Sequence, residues 1–166
     1  MKWEGGSGKA EERLSRTPVE PFFPPSALRP PPSIRGHFFR YWLPLIVYCL
    51  VIFFQSSFKS PLTLPSFDLI DKVLHIGGYS LLGFLFYRAY RSNWPSASGW
   101  RTANASLLSA GFYGMTDEIH QYFVPGRSAD PWDWLADMVG ALLGVMTYHA
   151  WLHLQARRTA SSLRHD

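Results

Sequence analysis

The stretch from Leu43 to Phe54 reads LPLIVYCLVIFF and contains no charged residue. With its flanks it covers about residues 38–57, and about 20 helical residues suffice to cross a hydrocarbon layer of roughly 30 Å. Three further apolar stretches lie at about residues 70–91, 103–124 and 131–154. Together they predict an all-α fold, a compact bundle of four transmembrane helices joined by short connectors. Because the last three stretches carry ionisable side chains, a soluble helical bundle with a polar core is the competing interpretation.

The composition excludes several common classes of protein. The chain has 166 residues, which suits a single domain. Charged residues make up 17% of it, against about 25% in an ordinary soluble domain. The single cysteine, Cys49, excludes an intrachain disulfide framework, and the chain contains no Walker loop, HExxH or GxSxG motif. We therefore predict no cofactor.

A polar, proline-rich segment, residues 1–36, includes the run Pro30-Pro31-Pro32. Such a segment buries too little apolar surface to offset its chain entropy, so we predict a disordered cytoplasmic tail. No apolar segment occurs within its first thirty residues, and we expect no signal peptide. The membrane domain is predicted at residues 37–155, followed by a short basic cytoplasmic tail at residues 156–166.

Basic residues mark one end of the predicted bundle. They precede the first helix, flank the connector between the second and third helices, and follow the fourth helix: Arg35, Arg40, Arg88, Arg91, Arg101, Arg157, Arg158 and Arg164. Because cytoplasmic loops carry an excess of Lys and Arg, both termini and this connector are predicted to be cytoplasmic. Topology thus accounts for the net charge of +4, and we predict membrane lipids rather than nucleic acid as partners.

The remaining polar residues collect at the opposite, outward end. They are Asp71, Lys72, His75 and Tyr79 on the second helix, Asp117, Glu118, His120 and Gln121 on the third, Arg127 in the next connector, and Asp133 and Asp137 on the fourth. A charged group inside a membrane costs about 2.5–3.5 kcal/mol on insertion scales and usually faces a bundle interior or a wet cavity. We therefore predict that these side chains share one pocket. Asp133 also fits a purely structural role, because Asp130 and Pro131 before it form a helix start with an N-cap.

Two adjacent carboxylates stand out within this set. Asp117 and Glu118 approach the C-terminal end of the third helix, where the helix dipole disfavours negative charge. They need a cation or a shared proton, and they are the candidate acid/base pair. Arg127 follows them, and its planar guanidinium suits a phosphate or a carboxylate.

Small residues continue the polar faces inward. Gly140 and Gly144 form a GxxxG motif on the face of the fourth helix that carries Asp133 and Asp137. Such a motif lets another helix approach closely, so these glycines are predicted to be helix-packing positions, as is Gly83.

Three elements of the chain form a recognisable set. The first reads DKVLHIGGY at residues 71–79, with Gly83 beyond it, and the second reads DEIHQYFVPGRS at residues 117–128. The third is Asp133 followed by the GxxxG motif. Together they resemble the VanZ-like family of small bacterial integral membrane proteins. One departure is Asp137, where the family usually has Asn, which adds an acid to the set.

The resemblance implies a multi-pass protein of the bacterial cell (inner) membrane, and the founding member of the family is linked to glycopeptide (teicoplanin) resistance. We therefore predict an envelope factor that binds a lipid-linked or peptidoglycan-related molecule without catalysis. A membrane-embedded enzyme with acid/base chemistry on such a substrate is the alternative, and a proton-coupled carrier is a third class. A metal site is not predicted, because the suitable ligand types are not compactly spaced: His75, His120, Asp117 and Asp137.

Overall fold

The computed structural model describes residues 33–58 and 68–162, and this part of the chain is helical without any strand. Its four helices are α1 (Ile34–Ser56), α2 (Asp68–Asn93), α3 (Gly99–Tyr122) and α4 (Pro131–Ser162). The all-α prediction is confirmed. The prediction of a disordered tail falls almost entirely on residues 1–32, which lie outside the described residues.

Helix α1 begins at Ile34 rather than near residue 38, because Ser33 caps it by accepting a hydrogen bond from Gly36 N at 3.1 Å. Its second segment, Phe38–Trp42, is π-helical, and Leu43 N donates to Phe38 O, five residues back. Pro44 follows directly. It cannot donate a backbone hydrogen bond, and in a regular α-helix its ring would clash with the carbonyl four residues before it, which the wider π-turn avoids.

The other helices also have identifiable ends. Ser98 caps α3, which begins at Gly99 rather than near residue 103, by accepting from Arg101 N. Asp130 caps α4, because its Oδ1 accepts from Trp132 N at 3.0 Å. Helix α4 continues to Ser162, so most of the stretch predicted as a basic tail extends this helix as an exposed rod.

Two of the helices in the described part are long and apolar enough to cross a membrane, namely Ile34–Ser56 and Pro131–Ser162. Helices α2 and α3 are not among them, and they carry most of the predicted polar site residues. Membrane crossing by all four helices therefore stays a prediction.

Helices α2 and α4 pack backbone against backbone. Gly144 faces the carbonyl oxygen of Ser80, and a Cβ atom at this position would overlap it. Gly140 faces the backbone of Ile76 in the same way, and its carbonyl accepts a hydrogen bond from Ser80 Oγ at 2.9 Å. On α2, Gly83 lies against the backbone of Ala141 of α4. All three predicted helix-packing glycines thus lie in one interface, which fixes how far apart the two helices sit.

Helix α1 is attached more lightly. From Leu43 to Ser56, only Leu45 and Ser56 are buried. Two tyrosines tie this helix to its neighbours: Tyr48 Oη donates to Gly78 O at 3.0 Å, and Tyr113 Oη donates to Cys49 O. Six apolar side chains between Leu43 and Phe54 are exposed, which suits contact with lipid chains.

Candidate functional site

A cavity of about 130 Å³ opens where α1 ends, α2 begins and α3 ends. Its polar wall is made by side chains from three helices and one connector: Tyr48, Gln55, Ser56, Asp71, His75, Tyr79, Asp117, Gln121 and Arg127. Six of these were predicted from the sequence as members of one pocket, namely Asp71, His75, Tyr79, Asp117, Gln121 and Arg127. We call this space the polar cavity.

The floor of the polar cavity is provided by α3 and α2. Asp117 and Gln121 are one helical turn apart, both are buried, and Gln121 Nε2 donates to Asp117 Oδ2 at 3.1 Å. Tyr79 of α2 is also buried, and its hydroxyl has no hydrogen-bond partner among the described residues. A buried polar atom of this kind is costly unless something binds it, so the hydroxyl is available to a ligand.

Arg127 reaches the cavity from the connector between α3 and α4. Gly126 has a φ of 82°, and Arg127 N donates to Val124 O at 3.1 Å, so the sequence Val-Pro-Gly-Arg forms a type II turn. Glycine is required at that φ, and the turn directs Arg127 toward Gln55 at the end of α1. One guanidinium nitrogen lies 3.4 Å from Gln55 O, while the buried Nε finds no partner in the described part of the chain.

A second group of polar side chains lies behind the cavity, and we call it the His75–Glu118–Asp137 cluster. Nδ1 of His75 lies 2.8 Å from Oδ1 of Asp137, whose side chain is completely enclosed. Glu118 Oε2 accepts a hydrogen bond from Asp130 N at 2.9 Å. Oδ2 of Asp137 and Oε1 of Glu118 are buried and have no partner among the residues described. Gly114 leaves room for the Asp137 carboxylate, because a Cβ atom there would lie 2.9 Å from Oδ2.

The structure separates the two carboxylates that the sequence places side by side. Successive residues of an α-helix point about 100° apart. Asp117 consequently faces the polar cavity and Gln121, whereas Glu118 belongs to the cluster with His75 and Asp137. Glu118 is instead grouped with Asp137, because a ligand atom of each lies within 4.8 Å of the other.

Lys72, His120 and Asp133 occupy other positions at the same end. Lys72 Nζ lies 3.0 Å from Asp133 Oδ1 and 3.5 Å from Asp130 Oδ2, which joins the start of α2 to the start of α4. His120 turns toward α1 instead, where its Nε2 lies 2.9 Å from Ser57 Oγ and its ring stacks on Phe53. The ligand combination considered from the sequence, with His120 beside His75, is therefore not the one that the structure assembles.

The ion pairs of Lys72 lead to a first prediction. The lysine side chain is 32% exposed, so Lys72→Gln should lower the free energy of unfolding by about 1 kcal/mol or less, and raised salt should shrink the difference. Denaturant unfolding in detergent at two salt concentrations measures both effects, with Lys72→Arg as the charge-conserving control. A loss that is larger and independent of salt would show that Lys72 acts through packing rather than charge.

Several contributing residues are not among the site residues that the sequence predicted. Tyr48 and Gln55 of α1 line the polar cavity, and Gly114 shapes the cluster. At the other end of the bundle, Tyr87 Oη lies 2.7 Å from His149 Nδ1, and His149 in turn contacts His153. The spacing of the two histidines by one helical turn was the available signal for this last group.

Comparison with known proteins agrees with the sequence motifs. A family model described as VanZ/LLP1 matches residues 27–153, which confirms the resemblance drawn from the three sequence elements. No significant match was found among curated proteins or among solved structures.

Proposed function

The chain belongs to the VanZ/LLP1 family, and from this premise we propose that it is a bacterial membrane protein that binds a cell-envelope component in its polar cavity without transforming it. Family membership supports a membrane protein of the envelope or resistance type. The observation that carries the finer proposal is the polar cavity itself. It brings carboxylates together with the Nε of Arg127 and the hydroxyl of Tyr79, both without a hydrogen-bond partner among the described residues.

In the proposed arrangement all four helices cross the cell membrane, both termini are cytoplasmic, and the polar cavity faces outward. The support is the separation of charge along the bundle. Arginines of the α2–α3 connector region lie at the end away from the cavity, among them Arg88, Arg91 and Arg101. Cytoplasmic segments carry such an excess of positive charge.

The cavity limits the chemistry of the ligand. Its volume of about 130 Å³ is close to that of a cavity of about 150 Å³ that holds one benzene molecule, so it takes one small group rather than an entire headgroup. Arg127 suits a phosphate or a carboxylate, whereas Asp71 and Asp117 suit donors such as hydroxyl, amide or ammonium groups. A molecule with an anionic group and neighbouring hydrogen-bond donors, as in lipid-linked or peptidoglycan-related precursors, can bind Arg127 and the two carboxylates at the same time.

A lipid-linked ligand also requires a route from the membrane. Helix α1 forms one wall of the cavity through Val51, Ile52 and Gln55, and it is the most lightly buried of the helices that line it. Its outer face is apolar, with Leu50 and Phe54 at least half exposed. A hydrocarbon chain can lie along this face while the polar group of the same molecule enters the cavity.

Arg127→Gln tests the proposal. We expect the variant to keep its fold and to lose at least about tenfold in occupancy by an envelope lipid, because a hydrogen bond to a charged group contributes about 1.5–3 kcal/mol. Native mass spectrometry of the protein released from membranes into mild detergent measures the bound mass and identifies it. Arg101→Gln, an exposed arginine at the opposite end, is the matched control and should leave occupancy unchanged.

Equal occupancy in Arg127→Gln and wild type would contradict binding in the polar cavity. Bound masses that correspond only to bulk phospholipids, in the proportions of the membrane, would contradict recognition of an envelope precursor.

A membrane-embedded enzyme is the second candidate, and one observation favours it. The hydrogen bond between His75 and Asp137 resembles a general base oriented by a carboxylate. If this is the function, a lipid-linked precursor incubated with the wild-type protein should change in mass, and His75→Gln should abolish the change. An unaltered precursor after prolonged incubation would favour binding alone.

A further inference from the structure

We propose that the His75–Glu118–Asp137 cluster binds one divalent cation of the zinc type. This inference goes beyond the proposed function and does not depend on it, because Arg127 and Asp117, which recognise the ligand, are not among the three residues of the cluster.

The three side chains already converge. Each offers one ligand atom, and these atoms all lie within 4.8 Å of one another. Zinc binds imidazole nitrogen and carboxylate oxygen at about 2.0–2.2 Å, which separates two ligand atoms on one ion by about 3–3.5 Å. Nδ1 of His75 and Oδ1 of Asp137 are 2.8 Å apart. Small movements of the side chains therefore suffice to form a coordination shell.

An independent observation points to a missing positive charge. The Asp137 side chain is 0% exposed, yet its Oδ2 has no hydrogen-bond partner in the described part of the chain. Oε1 of Glu118, a residue that is 8% exposed, also has no hydrogen-bond partner among the described residues. Two enclosed carboxylate oxygens that accept no hydrogen bond from any described residue are an arrangement that a bound cation resolves.

The charge balance at this end of the bundle supports the same conclusion. The carboxylates at this end whose side chains the structure describes are Asp71, Asp117, Glu118, Asp130, Asp133 and Asp137. Against them stand only Lys72 and Arg127 among the basic side chains described at this end, and Lys72 is already paired with Asp133. A dication in the cluster would neutralise Glu118 and Asp137 while His75 serves as a neutral ligand.

The ligand types select the class of cation. One imidazole with two carboxylates suits zinc, whereas calcium and magnesium prefer sites made of oxygen alone. His75 also lines the polar cavity, so an ion held by it would keep a coordination position open toward that space. A second group, Asp71, His75 and Asp133, shares the histidine, but the pairing of Asp133 with Lys72 makes it the weaker site.

The experiment is a zinc titration of purified full-length protein in detergent after treatment with EDTA. Calorimetry and elemental analysis should show about one Zn²⁺ per chain for the wild type, for Asp117→Asn and for Arg127→Gln. Glu118→Gln and Asp137→Asn should each bind zinc at least about tenfold more weakly, since a liganding carboxylate is lost. Asp117→Asn is the matched control, because it removes the adjacent buried carboxylate of the same helix. Magnesium should not compete with zinc.

Two results would overturn the proposal. One is zinc uptake that persists undiminished in both Glu118→Gln and Asp137→Asn. The other needs no variant: saturating zinc should raise the thermal midpoint of the wild-type protein, and an unchanged midpoint would exclude a site in the native state. If Arg127→Gln kept its bound lipid, the cavity proposal would fail, but the expected zinc binding of the wild type and the variants would not change. The two proposals are therefore tested separately.

Discussion

Gly144→Ala should lower the free energy of unfolding by about 3 kcal/mol, even though alanine favours helix formation over glycine by about 1 kcal/mol. The reason is the contact between α2 and α4. A Cβ atom on Gly144 would overlap the carbonyl oxygen of Ser80 and would lie 2.8 Å from the backbone nitrogen of Phe84. Backbone atoms inside a helix cannot turn aside as a flexible side chain can, so the two helices must move apart along their whole interface.

The matched control for this substitution is Gly77→Ala on α2. A Cβ atom on Gly77 would meet no atom within 4 Å, so the variant should be neutral or more stable by up to about 1 kcal/mol. Unfolding of the three proteins in the same detergent, followed by loss of helical signal, measures the difference. Similar stabilities for Gly144→Ala and Gly77→Ala would show that the α2–α4 interface is not packed as closely as described.

Asp137→Ala should be the second severe substitution, with a cost of about 3 kcal/mol. It removes the partner of His75 at 2.8 Å and leaves a void beside Gly114 in a completely enclosed place. Asp137→Asn should cost less than about 1 kcal/mol, because the amide keeps both the shape and a hydrogen bond to His75.

Both variants of Asp137 are best measured in EDTA, so that bound metal does not contribute to stability. If Asp137→Asn were as damaging as Asp137→Ala, the negative charge itself would be holding the fold, rather than the shape and the hydrogen bond that the amide retains.

The helices and their order were predictable because long apolar stretches separated by proline-containing connectors are compatible with few structures other than consecutive helices. The collection of polar residues at one end of the bundle was predictable for a related reason, since a charged group inside a membrane usually faces the interior of a bundle or a wet cavity. The helix ends were less predictable. Ser33 and Ser98 each cap a helix that begins several residues before the apolar stretch, and the apolar pattern alone does not mark such a start.

The pairing of the polar residues was not predictable in the same way. Neighbours in sequence, such as Asp117 and Glu118, point about 100° apart on a helix and serve different groups. Which distant residue each one meets depends on the rotation of α2 and α4, and that rotation is set by backbone contacts at Gly140 and Gly144. The contacts of His120 were unpredictable for the same reason, because its stacking on Phe53 depends on where α1 packs.

Binding of an envelope component requires that the polar cavity opens to the outside of the cell. Two exposed serines provide a direct test, Ser128 beside Arg127 and Ser96 in the connector between α2 and α3. Each is changed to cysteine in a Cys49→Ser background, and spheroplasts are treated with a membrane-impermeant maleimide. We expect Ser128→Cys to be labelled in intact spheroplasts and Ser96→Cys to be labelled only after lysis. Labelling of Ser96→Cys in intact spheroplasts, with Ser128→Cys protected until lysis, would contradict this expectation.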